Sequence, residues 1–302
     1  MDFEKPHYRH EYIEQGKKVA EKTEMQRLLL FLYRFPMGKL VRPLLRWSII
    51  SRFYGWYQSS ALSAKKINKF IKKHDMNMLD FIVPAGGYRS FNEFFCRALV
   101  PGARSVDLDL RSLVSPADAK CWALPEVTMQ ATFFVKQQQF SLKTLLRDEA
   151  AAEYFDGGTL FLLRLAPYDY HRFHAPLSGV YSQPNRLGGT LESVNPLAFK
   201  SGCMPLLEKK RHVVMVKSEE FGCDVAVIPV GAMMVGEIEY LAPLPATLAK
   251  GDELGYFAFG GSSVIVLLPR GVLRVRADLA AYTARGFEVA VKMGESIGTF
   301  VE

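Results

Sequence analysis

From about residue 112 onward, apolar residues come in short runs rich in Val, Ile, Leu and Phe. The clearest are Thr159–Leu165, His212–Lys217, Asp224–Val230, Ser263–Leu268, Val272–Arg276 and Glu288–Lys292. Turn formers separate them: Pro167, Gly179, Gly188-Gly189, Gly231, Gly236, Gly251, Gly255 and Gly260-Gly261. Runs this short between Gly and Pro predict strands rather than helices. The earlier part has the longer spacing of helices. It predicts helices over residues 10–24, 25–56 (broken near Pro36 and Pro43) and 61–74, with a shorter one at Phe91–Leu99. Helices first and many strands afterwards define an α+β chain. We expect N-terminal amphipathic helices over residues 1–90, then a β-rich, largely antiparallel catalytic domain over 91–302.

Charge divides the chain in the same way. Between Met25 and His74 there is no acidic residue but there are eleven Lys and Arg, leaving 27 bases against 31 acids elsewhere. The positive balance of the whole protein therefore sits in one segment. Within residues 25–56, Leu28, Leu32, Leu40, Leu44, Trp47, Ile50, Phe53 and Trp56 alternate with arginines. Such a helix suits a membrane interface, its bases among lipid headgroups, and equally suits a helical layer on the protein's own core with a solvated basic face. No nucleic-acid motif accompanies the bases. No run approaches the ~18 apolar residues of a membrane span, and residues 1–24 lack the apolar core of a signal peptide. The four cysteines form no CxxC pair, which argues against a zinc site and a disulfide framework.

Three stretches carry unusual residue combinations. SPADAK (115–120) places Asp118 in a turn of small residues. PYDYHRFHAP (167–176) follows an apolar run and holds His171 and His174. FAFGGSSV (257–264) sets two serines behind two glycines at the head of a run. Each alone is explained by turn chemistry or structural hydrogen bonding. Together they make an Asp–His–Ser arrangement available, since such triads are defined by geometry rather than by chain order. The residues alone point to a serine hydrolase, although Gly-Gly-Ser-Ser is not the GxSxG elbow. The two histidines lack a third ligand, so no metal is expected.

Taken in order and in register, these stretches resemble the signature segments of the phosphatidylserine decarboxylase family: an SPxDG turn, a PxDYHRxHxPxxG stretch and a glycine–serine–threonine cleavage motif. FNEFFCRALVPGAR (91–104), FSLKTLLRD (140–148), LESVNP (191–196), VGAMMVG (230–236) and VKMGE (291–295) extend the likeness from about residue 90 to the C-terminus. The resemblance implies a proenzyme cut between Gly261 and Ser262, giving a β chain of 1–261 and an α chain of 262–302. It implies that Ser262 becomes a pyruvoyl cofactor and that phosphatidylserine is decarboxylated to phosphatidylethanolamine. Asp118 would orient His174, His174 would deprotonate Ser262, and His171 would manage protons during decarboxylation. Glycine before the serine removes a Cβ and opens the peptide bond to attack. The partners implied are an anionic membrane surface, the phospholipid substrate and the two product chains, with peripheral attachment on the cytoplasmic side; a homodimer is left open.

Three positions depart from the family pattern. Ala119 stands for the glycine after the aspartate, Lys209-Lys210-Arg211 for Asn-Glu-Arg, and Ser263 for threonine. The last creates a second candidate nucleophile. The alternatives are a decarboxylase of a soluble amino acid or of another serine-headgroup lipid, and an uncleaved lipid-binding relative.

Overall fold

The computed structural model describes residues 11–21, 55–129, 133–135, 138–188, 210–231, 237–241, 243–258 and 262–301. Its centre is a mixed sheet of eleven strands, antiparallel but for one pair. The strands that matter here are β1 (Glu11–Glu14), β2 (Lys17–Ala20), β3 (Ala119–Val127), β4 (Gly158–Leu165), β5 (Arg172–His174), β6 (Arg211–Ser218), β7 (Cys223–Val230), β8 (Glu253–Phe257), β9 (Ser262–Leu268) and β10 (Glu288–Val291). In the large sheet the order is β6-β7-β9-β4-β3-β10-β1-β2. The predicted strands all form, as do the helix Ile67–His74, preceded by a 3-10 turn at Ala61–Lys66, and the helix Phe91–Phe95. The α+β, largely antiparallel reading holds.

All eight residues of β4 and all seven of β9 are buried, because both faces of the sheet are covered and both must be apolar. Side chains alternate across a strand. Phe161, Leu163, Leu165, Val264, Val266 and Leu268 therefore enter one core, while Leu160, Leu162, Ile265 and Leu267 enter the other. The first core takes in Phe173, Leu254 and Phe257 from a small sheet built on β5 and β8. The second is roofed by the helices Leu142–Leu146 and Glu149–Tyr154.

The N-terminus brings a correction. Residues 11–20 form a β-hairpin where a helix over 10–24 was expected. Its two-residue turn has positive φ at Gln15 (49°) and Gly16 (76°), the pattern of a type I′ hairpin turn. β1 then pairs in parallel with β10, Tyr12 opposite Glu288. Burial of Tyr12 and Ile13 outweighs the helix preference of the surrounding Glu, Lys and Ala residues. Glu21, just past β2, shares the Arg164 guanidinium with Glu288 at 3.0 and 2.7 Å, tying the hairpin to the sheet. The 25–56 helix expectation falls outside the described residues up to residue 54. Among the described residues no helix is long and apolar enough to cross a membrane.

One departure finds a structural reason. Ala119 opens β3 and is absent from the positive-φ residues, so no glycine is required there. Arg211, the position of the 209–211 triplet that keeps the family residue, donates to the carbonyls of Leu145 and Thr144, both at 2.7 Å, capping the end of the Leu142–Leu146 helix from inside.

Candidate functional site

β9 begins at Ser262, which pairs with Leu165 at the end of β4. β8 ends at Phe257, whose N–H donates to the His171 carbonyl at 2.9 Å. The stretch 166–171 therefore runs from the strand end that pairs with Ser262 to the carbonyl that holds the end of β8. Ser262 thus stands beside the end of β4, from which the stretch carrying both histidines departs. Gly261 itself lies outside the described residues.

The alternation of β9 separates the two serines. Ser262 has the parity of Val264 and Val266, hence the face of Leu165, Phe173 and Phe257. Ser263 has the parity of Ile265 and Leu267, on the helix-covered face. Only Ser262 is directed to the side of the histidine stretch. It is 1 % exposed, and its Oγ has no hydrogen-bond partner among the described residues.

His171 is fully buried against Phe95, ring centroids 3.7 Å apart. Its Nδ1 lies 2.9 Å from the Asp169 carbonyl. A carbonyl only accepts, so Nδ1 carries the proton and Nε2 the lone pair. That Nε2 is buried without a partner among the described residues. Burial, helped by the charges of Arg97 and Lys120, pushes the imidazolium down to about 3 and keeps the ring neutral. Arg97 and Lys120 also fix the loop. Arg97 Nη2 donates to the carbonyls of Tyr168 (2.9 Å) and Asp169 (3.0 Å), and Lys120 Nζ holds the Asp169 carboxylate at 2.7 Å.

His174 is tautomerically fixed in the same way. Nδ1 donates to the Gly251 carbonyl at 2.9 Å, and Nε2 accepts the Tyr170 hydroxyl at 3.0 Å. Burial pushes its pKa down, against the Gly251 contact and the charges of Glu253 and Asp118. Gly251 is needed as glycine: its φ is +90°, and a Cβ there would sit 2.8 Å from Val106 Cγ2.

Asp118 stands at the start of β3, one wall of a cleft of about 610 Å³ that Arg104, Lys120, Tyr168 and Lys292 also line. Its turn is joined to β5 by the His174 N–H, which donates to the Pro116 carbonyl at 2.8 Å. The carboxylate does not hydrogen-bond to His174. It takes Arg104 side-on (Nε at 3.1 and 3.2 Å, Nη2 at 2.7 Å), the Met293 N–H at 2.9 Å and Lys292 Nζ at 3.5 Å. Burial pushes its pKa up, but Arg104, Lys292 and the Met293 N–H outweigh it and hold the group below the ordinary carboxylate range. The fold thus gathers the three motifs without linking them into one hydrogen-bonded chain. Arg104, Tyr170, Gly251 and the Lys120–Asp169 pair were not singled out from sequence. The signal was there only as position: Arg104 closes the 91–104 stretch, and Asp169 and Tyr170 precede His171.

A buried serine at a strand head, two imidazoles that burial pushes toward the neutral form and a clamped carboxylate are residue types that acyl chemistry uses. Among the described residues no group of His, Cys, Asp and Glu is placed to hold a metal ion. Comparison with known proteins makes the assignment specific. A family model described as phosphatidylserine decarboxylase matches residues 91–299. The chain is 36% identical over 301 residues to a phosphatidylserine decarboxylase proenzyme of Fusobacterium nucleatum, covering 99% of each. It is 37% identical over 283 residues to one of Chlamydia pneumoniae, covering 93% of this chain and 94% of the relative. Against one of Clostridium novyi the identity is 37% over 280 residues, covering 92% and 95%. The chain belongs to the phosphatidylserine decarboxylase family of carboxy-lyases.

Proposed function

We propose that this chain is a proenzyme that cuts itself between Gly261 and Ser262 and then decarboxylates phosphatidylserine to phosphatidylethanolamine with a pyruvoyl group made from Ser262. The observation that carries this is the placement of Ser262. Its hydroxyl is buried and, among the described residues, unpartnered, on the sheet face of the histidine stretch, at the one of the two serines that glycine precedes. A hydroxyl left in that condition costs about 1–3 kcal/mol, a cost that chemistry at Oγ would explain. The residues fit the group. Ser262 Oγ and His171 Nε2 are both buried without a hydrogen-bond partner among the described residues, so each is able to take one from the group or its substrate.

In self-cleavage His174 takes the Ser262 proton at Nε2, exchanging the Tyr170 hydroxyl for Ser262 Oγ. Oγ then bonds to the Gly261 carbonyl carbon while the C–N bond breaks, converting amide to ester. Asp118 favours the charged imidazole through space, and the Gly251 carbonyl holds the ring proton at Nδ1. The proton held by His174 passes to the freed Ser262 nitrogen. Removal of the Ser262 α-proton then breaks the Cβ–Oγ bond, releasing the Gly261 carboxylate as the end of the β chain. Water hydrolyses the resulting dehydroalanine, through its imine, to ammonia and the pyruvoyl N-terminus of the α chain. Once formed, the pyruvoyl group supplies a carbonyl that accepts the electron pair released with carbon dioxide. His171, neutral and with its Nε2 lone pair open, holds or returns a proton during that step.

Attachment to an anionic membrane on its cytoplasmic face, through the basic segment 25–74, belongs to the same proposal. Trp56, Leu62 and Leu79 are 67, 66 and 86 % exposed, and Lys65, Lys66, Lys69, Lys72 and Lys73 are exposed with them, the mixture that partitions to an anionic interface. Liposome binding that weakens in high salt and on deletion of 25–74 is the expected result; indifference to both removes the membrane role. Intact mass tests the enzyme itself. Two fragments meeting at 261/262, the smaller blocked to Edman degradation, are expected; active protein in one unbroken chain refutes the reading.

A further inference from the structure

The Asp118 carboxylate is 7 % exposed and receives one buried cation among the described residues, Arg104, itself 9 % exposed. Lys292 is a weaker companion, 62 % exposed and 3.5 Å away. Arg104 uses its fork fully: Nε spans both carboxylate oxygens, Nη2 takes Oδ2, and Nη1 goes to Asp80 Oδ2 at 2.9 Å and to the Ala103 carbonyl at 2.7 Å. A side-on guanidinium fixes the plane and position of a carboxylate as a point-like ammonium does not. With Met293 N–H on Oδ1, Asp118 cannot rotate toward His174 without giving up a charge-assisted bond. Whatever it does for that imidazole it does from this fixed place.

We infer that Arg104 is a positioning residue for self-cleavage: it holds Asp118 side-on and keeps its negative charge in place beside the His174 segment. This rests on the proposed role of Asp118 in cutting at Ser262. Arg104 touches no reacting atom. It acts through Asp118, and through Asp80 it anchors the same corner to the exposed loop of Leu79, Ile82 and Val83. Without it a buried carboxylate would sit near one exposed lysine and one N–H, and burial would favour its neutral form. The loss of function on acidification would then begin at higher pH.

The test is cell-free synthesis of the full chain, arrested and shifted to buffers from pH 5 to 9. The two fragments are followed on a denaturing gel. Arg104→Gln is expected to cut at least about tenfold more slowly at pH 7, with the acid limb of the rate profile moved up by about one pH unit or more, since one unit is a tenfold change in the ionised fraction. Arg104→Lys is expected to restore the position of the acid limb but not the full rate, because charge returns without the fork. A wild-type rate in both variants, or a slower rate with an unshifted limb in Arg104→Gln, overturns the inference. If Arg104→Gln does not stay soluble, Arg104→Lys decides: a reduced rate with a near-native limb supports the role, and a native rate ends it. Asp118→Asn separates this from the underlying reading. If that variant cuts normally, the role of Asp118 fails whatever Arg104 does.

Discussion

Two corners of the site, joined by the stretch 167–176, are built on opposite principles. At the Asp118 corner every buried polar group is answered: two carboxylate oxygens face a guanidinium, a backbone N–H and an ammonium. At the Ser262 corner a hydroxyl and the His171 Nε2 are buried and, among the described residues, unanswered. Satisfied networks rigidify, and unsatisfied ones hold a cost that a reaction or ligand can relieve. The contrast separates what holds the site from what reacts in it.

The sharpest way to break it is Ser262→Ala. Cutting should stop entirely on a denaturing gel, while the denaturation midpoint stays level or rises, because an unpartnered hydroxyl is removed. A marked loss of stability would mean that Oγ has a structural partner after all. Next come the histidines. His174→Ala is expected to remain uncut, slowed about 100-fold to 10,000-fold as for loss of a general base. His171→Ala is expected to be cut but to release carbon dioxide slower by a similar factor; the reverse pattern would exchange their roles. At the satisfied corner, Asp118→Asn should lower stability by about 1–3 kcal/mol as well as stopping cleavage, since Arg104 loses its buried carboxylate and keeps Asp80 as its partner. An unchanged urea midpoint would contradict the clamp. The smallest effect is on pH. The His171 pKa lies near 3 in the folded chain and near 6.5 when unfolded. The unfolded state therefore binds the extra proton, and stability is complete above about pH 6.5 and declines as pH falls toward 3. His171→Phe should flatten that decline by up to about 1.4 kcal/mol per pH unit in denaturant titrations; an identical slope would show that the ring is not held neutral.

Legibility followed the physics of each element. Strand β9 could be read from Ser263–Leu268 because a strand buried on both faces must be a continuous apolar run, whatever pairs with it. The 11–20 hairpin could not. Its eight strand residues are mostly Glu, Lys and Ala, and what makes them strands is β10, nearly 280 residues away in sequence. The site divided similarly. Ser262, His171, His174 and Asp118 were visible because they sit in long, ordered motifs. Arg104 was hidden because an arginine in a loop carries no sign of the carboxylate it will meet.

Residue order alone determined the α+β class, the three motif segments and the preference for Ser262, since these rest on local periodicity, glycine placement and motif register. Tertiary structure alone decided that Ser262 and Ser263 face opposite cores, that both histidines carry their proton on Nδ1, and that Asp118 is held by Arg104 rather than by His174. The reason is physical. Local pattern selects backbone conformation, but which donor meets which acceptor depends on strand register and crossing, and only long-range pairing sets those.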